Sequence, residues 1–180
     1  MMTIPPVATE EDLRRAPEDG WRHELVDGQV RRVPGGARHG LVCVKLSTRI
    51  LGFVEEASLG YVVGSNTGFR FPGGNVRVPD VSFTAKGRFA GEQLPDDFSD
   101  VPPDLAVEVL TPDDRPRDIL DKIGEYLQAG VRLVWVIDPE RRTAAVYRSM
   151  TQVRQLGPHD FLDGEDVLPG FRCRLDEAIG

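Results

Sequence analysis

The sequence predicts an α/β fold built on a mixed β-sheet with helices on its faces. Three observations carry that expectation. First, an apolar run at Leu105–Leu110 precedes a helical pattern at about Pro116–Ala129, and the apolar run "RLVWVID" follows. That is the order of two parallel strands joined by a crossover helix. Second, "HELVDGQVRRV" alternates on either side of Asp27-Gly28, a hairpin signal. Third, "TAAVYRS" and "QVRQL" follow the "DPERR" turn and read as C-terminal meander strands.

The remaining elements follow in chain order. Residues 1–20 read as a Pro-containing arm and a short helix at "TEEDLRRA", where Thr9 caps and Glu10 to Asp12 suit the N-terminal dipole. After the hairpin, "PGGARHG" breaks the chain before "LVCVKLSTRILGFVEEA". Val42, Leu46, Ile50, Phe53 and Val54 there recur at helical spacing, and Gly60 ends the segment. "YVVG", "GFRF" and "VSFTA" read as short strands between Gly, Pro and Asn turns. "KGRFAGEQLPDDFSDVPP" is a polar loop, and Gly130 stops the crossover helix. "GEDVLPGFRCRLDEAI" closes with a strand and a short helix. The two "PGG" stretches, at 34–36 and 72–74, read as turns. No low-complexity linker divides the chain, so residues 1–180 read as one domain.

Composition excludes several classes. No apolar run approaches the roughly 18 residues of a membrane span, and no signal peptide is evident. Cys43 and Cys173 form no CxxC pair, which disfavours a zinc site or a disulfide framework and points to a reducing, cytoplasmic location. The net charge of −7 argues against a sequence-wide grip on nucleic acid but leaves room for a local basic face. Lysine occurs only at 45, 86 and 122, against 19 arginines, so each lysine merits inspection. GxSxG, GxxxxGK[ST] and HExxH are absent, and His23, His39 and His159 show no ligand spacing. Trp21 and Trp135 read as packing anchors.

The chemistry concentrates in carboxylates. In an extended Leu105–Leu110, Leu105, Val107 and Val109 share one face, while Ala106, Glu108 and Leu110 share the other. A crossover-connected strand is covered on both faces, so Glu108 is expected to be buried. An unpartnered buried carboxylate has its pKa raised by about 3–5 units. Glu108 therefore needs an arginine, a hydrogen-bond network or a metal ion. In "RVPDVSF", Asp80 follows Pro79 at the entry of another apolar strand. Two carboxylates on neighbouring strands suit Mg²⁺ or Mn²⁺. In the helix, Ile119, Leu120, Ile123 and Leu127 form the apolar stripe. Lys122 falls just outside it, either folding back toward Glu108 or solvated and paired with Asp118.

Taken together, "VPDVSF", "PPDLAVEVLTP", "DKIGEYLQAGV" and "VWVIDPERRTAAVYR" resemble the Uma2 family of the PD-(D/E)xK nuclease superfamily. The similarity runs from "HELVDGQV" to "LDEAI". It implies a restriction endonuclease-like fold with a four-stranded mixed core sheet and a divalent metal at the strand ends. By resemblance, Asp80 is the acid of the "PD" half-motif and Glu108 the acid of the second half-motif. The superfamily lysine is expected at position 110, where this chain has Leu110, and Lys122 is the substitute. Glu24 matches a further acidic position but reads equally as an exposed hairpin residue, and His39 matches another family position at a helix start, where a simple capping role is the alternative.

The resulting expectation is Mg²⁺- or Mn²⁺-dependent hydrolysis of nucleic acid, DNA first. Asp80, Glu108 and the Val109 carbonyl would hold the ion, Lys122 would act beside it, and Arg115 and Arg117 would contact phosphates. A homodimer is expected from the resemblance and from the commonness of two-fold assemblies. Two other readings stay open at this stage: an inert binding module of the same fold, and a metal-dependent hydrolase of small phosphate esters.

Overall fold

The computed structural model describes residues 7–33 and 35–180. The first six residues of the expected arm, and Pro34 of the first "PGG" turn, lie outside the described residues. In chain order the elements are α1 (Glu10–Arg14), β1 (Arg22–Val26), β2 (Gln29–Val33), α2 (Ala37–Glu56), β3 (Gly60–Gly64), β4 (Phe69–Arg70), β5 (Val76–Arg77) and β6 (Val81–Ala85). The second half contributes β7 (Leu105–Val109), α3 (Pro116–Gln128), β8 (Leu133–Asp138), β9 (Thr143–Tyr147), β10 (Val153–Leu156), β11 (Phe161–Asp163), β12 (Arg172–Arg174) and α4 (Leu175–Ile179).

The central sheet has six strands in the order β10-β9-β8-β7-β6-β3, two more than the expected core of four. β7 and β8 are parallel and joined by α3, while the other neighbours pair antiparallel. The alternation along β7 divides the interior. Leu105, Val107 and Val109 pack with Val42, Leu46, Ile50 and Val54 of α2. Ala106, on the opposite face, packs with Ile123 and Tyr126 of α3. A smaller sheet, β2-β1-β5-β4, lies upstream of β6 in the chain and carries the Asp27-Gly28 hairpin. Both hairpin residues have positive φ, 50° and 68°, as that two-residue turn requires.

Four details differ from the sequence expectation. First, α2 begins at Ala37, so "ARHG" is helical. One interior glycine costs only about 1 kcal/mol, and packing of the long apolar stripe outweighs it. Second, the buried face of α3 is Lys122, Ile123 and Tyr126, whereas Leu120 is 45% exposed. The helix is rotated so that polar groups, not Leu120, point inward. Third, Trp135 is fully buried and stacks on Phe171, but Trp21 is exposed with Arg32 over its ring. Fourth, the short strands β5 and β11 carried no sequence signal strong enough to be expected.

Candidate active site

Strand register sets up the site. Val81 pairs with Val107, and continuing that antiparallel ladder by one residue sets Asp80 opposite Glu108. Backbone bonds fix the arrangement: Asp80 N–H donates to the Val107 carbonyl at 3.0 Å, and Val109 N–H donates to Asp80 Oδ2 at 2.7 Å. α3 then returns over β7 and carries Lys122 inward. Lys122 Nζ lies 2.9 Å from Glu108 Oε2 and 2.9 Å from Glu24 Oε1. Tyr126, one turn further, donates from its hydroxyl to Glu108 Oε1 at 2.6 Å. The small sheet supplies the rest. Glu24 on β1 accepts from Val78 N–H at 2.8 Å and from Arg77 Nη1 at 3.2 Å, and Arg77 also donates to Glu125. None of Glu24, Asp80, Glu108 and Lys122 is more than 6% exposed, so these charges interact in the interior rather than through water.

Two further side chains flank Asp80. His39 Nε2 lies 3.0 Å from Oδ2, and Arg22 Nη1 lies 2.8 Å from Oδ1. The angles of the Arg22 contact do not make a hydrogen bond, so Oδ1 is a buried acceptor without one. Electrostatics separate the three acids. Burial pushes the Glu108 carboxyl up to about 7; Lys122 opposes this, while the charges of Asp80 and Glu24 add to it. Asp80 is buried too, yet His39 and Arg22 hold it below the ordinary aspartate value. Glu24 is likewise held low, because Lys122 and Arg77 outweigh its burial. For Lys122, burial alone would lower the pKa, but the charges of Glu108, Glu24 and Asp80 raise it and keep the ammonium charged.

A cavity of about 230 Å³ opens onto these groups, and Arg31, Arg32, Val109 and Arg115 share its lining. It adjoins a wider groove of about 1130 Å³ bearing Trp21, Arg38, Arg141 and Tyr147. Arg115 is therefore at the cavity. Arg117 is not among the lining residues: its side chain is 91% exposed and faces Asp121 at 3.8 Å.

The model of the Uma2 family, described as "Putative restriction endonuclease", matches residues 10–176. The chain belongs to the Uma2 family. A crystal structure described as a "putative nuclease belonging to DUF820", from Anabaena variabilis ATCC 29413, is similar with a TM-score of 0.83. It is 20% identical and covers 95% of this chain and 97% of its own, so the likeness is one of fold. That fold is restriction endonuclease-like, with a central mixed sheet flanked by helices. Among curated proteins none matches the chain.

In this Uma2 protein the donor set fits a hard divalent cation. Carboxylate oxygens are the ligands such ions select. Asp80 Oδ1 is buried without a hydrogen bond, and Glu108 is raised first by burial and then by the charges of Asp80 and Glu24, both of which a cation between the acids would offset. Sequence reasoning missed Arg22, Arg77 and Tyr126 as partners of the acids, and it allowed Glu24 to be an exposed hairpin residue, whereas the structure buries it. It also found no ligand spacing among the histidines. Yet His39 and Cys43, one turn apart on α2, each place a donor atom within 4.8 Å of the other and of Asp80. The His-x-x-x-Cys spacing was the available signal.

Proposed function

We propose that this protein is a metal-dependent nuclease that hydrolyses phosphodiester bonds in nucleic acid, DNA first, with residues 1–180 acting as one domain. Asp80 and Glu108 would hold Mg²⁺ or Mn²⁺, with the Val109 carbonyl as a further ligand. The bound ion supplies Lewis acidity and a water of lowered pKa. The remaining chemistry belongs to the chain. Lys122 donates to Glu108 and pairs by charge with Glu24, which leaves an N–H for an attacking water or a phosphate oxygen. Tyr126 and Val109 N–H orient the two carboxylates. Arg31, Arg32 and Arg115 line the approach and suit phosphate oxygens. Assembly as a homodimer belongs to the same reading.

The observation that carries the reading is the juxtaposition of Asp80 with Glu108 across one strand pair, with an ammonium 2.9 Å from Glu108. The test is nicking of supercoiled plasmid with Mg²⁺ or Mn²⁺ and without either. Asp80→Ala and Glu108→Ala should each lower the rate by at least about 100-fold, since even indirect contacts to such ions cost about 10–100-fold. Unchanged rates in both variants sink the assignment. One observation favours an inert module instead: Lys122 is held by Glu24 as well as by Glu108. No cleavage of any nucleic acid, together with no calorimetric Mg²⁺ binding, selects that reading.

A further inference from the structure

Cys43 plays no part in the proposed phosphodiester chemistry, yet it lies against the same aspartate. Its Sγ is 3.7 Å from His39 Nδ1 and 3.8 Å from Nε2, and His39 Nε2 is 3.0 Å from Asp80 Oδ2. With Zn–S near 2.3 Å and Zn–N and Zn–O near 2.0–2.2 Å, a tetrahedral ion sets sulfur and nitrogen about 3.6 Å apart and nitrogen and oxygen about 3.4 Å apart. The free sulfur–nitrogen spacings lie slightly above the first value and the nitrogen–oxygen spacing lies below the second, so the ion fits with shifts of a few tenths of an ångström and a turn of the imidazole. His39 and Cys43 are four residues apart on one helix face, which fixes two of the three ligands on a single rigid element. An independent observation points to a cation here. Asp80 Oδ1 is buried and lacks a hydrogen bond, its Arg22 neighbour being badly angled. Thiolate and imidazole together select borderline-soft ions over Mg²⁺, and three protein ligands leave a fourth position open.

We propose that His39, Cys43 and Asp80 form a binding site for a borderline-soft divalent cation such as Zn²⁺, and that filling it withdraws Asp80 from Glu108 and so inhibits the enzyme. The site itself stands on geometry alone; the inhibition rests on the nuclease reading above. On binding, the Cys43 S–H bond breaks, the proton leaves to solvent, and the sulfur electron pair forms the bond to the ion. Arg22 gives way from Oδ1 as the ion's charge arrives.

Cobalt(II) is the probe, because a thiolate ligand gives it an intense near-ultraviolet charge-transfer band. Titration of the whole protein should produce that band with saturation at one equivalent. Cys43→Ser should abolish it, with Cys43→Ala as the alternative if serine disturbs packing. Cys173→Ser and Glu108→Gln should keep it. Competing Zn²⁺ should bleach the band, and its apparent affinity should fall by at least about tenfold in Cys43→Ser. In the nicking assay, stoichiometric Zn²⁺ should inhibit the wild type in excess Mg²⁺ but leave Cys43→Ser active. A missing band, or one that survives Cys43→Ser, overturns the site. A band without Zn²⁺ inhibition of an active enzyme overturns the inhibition. A protein that nicks nothing overturns the nuclease reading, while the cobalt spectra still decide the site.

Discussion

Glu108 is the residue on which the site turns, and its protonation has a definite sign. Its folded pKa, about 7, stands above the ordinary glutamate value of 4.5, so folding favours the protonated form. The stability it contributes is present below pH 4.5 and is lost as pH rises through about 7. Asp80 and Glu24 behave oppositely: their folded values are lowered, so their contributions hold above the ordinary values and disappear in stronger acid. The metal-free protein should therefore lose urea resistance as pH rises from about 4.5 to about 7, and Glu108→Gln should flatten that slope. A cation competes with the same proton. Calorimetric Mg²⁺ affinity should rise with pH and fall about tenfold per unit below pH 7. An affinity independent of pH between 6 and 8 would remove Glu108 from the ligand set. Glu108 stood out in the sequence because it interrupts an apolar run. Glu24 did not, because alternation in a hairpin makes one exposed face the default.

Among the elements, α3 shows how tertiary charge overrides a local pattern. Its apolar stripe fixes the helix, but the face it buries includes Lys122 between two acids. Lys122→Met would leave Glu24 and Glu108 buried with one cation fewer. Breaking such a pair costs about 3–5 kcal/mol, and urea unfolding at pH 8 should read a loss of that order. Because Lys122 and Glu108 are in contact, adding Glu108→Gln should recover part of the loss rather than deepen it. Additive losses would show that the two side chains are uncoupled. α2 taught the converse. "PGGARHG" looked like a break, yet the helix already begins within it, at Ala37, and brings His39 to Asp80. Glycine weakens a helix locally, but the stripe packed on the sheet decides where the helix begins.

For the whole molecule, the net charge of −7 coexists with an arginine-bearing mouth over the acids. Nucleic acid would be steered by that local field rather than by the total charge. Arg31→Ala and Arg115→Ala should each weaken binding at low salt and reduce the salt slope by about 1. Arg117→Ala should change neither, since its side chain points to solvent away from the cavity. Fluorescence anisotropy at several salt concentrations reads both quantities; an Arg117 effect equal to that of Arg115 would relocate the contact surface. No helix among the described residues is long and apolar enough to cross a membrane.

The sequence by itself determined the strand–helix–strand unit, the two faces of β7, and Asp80, Glu108 and Lys122 as candidates. Each of these is a local property: a period, a turn, or a charge among apolar neighbours. Only the tertiary structure decided that Glu24, Arg22 and Arg77 complete a buried charge network and that His39 and Cys43 close on Asp80. Which charges meet depends on strand register and helix rotation summed over segments far apart in the chain. A buried charge finds its partner through space, and no spacing along the sequence records that choice.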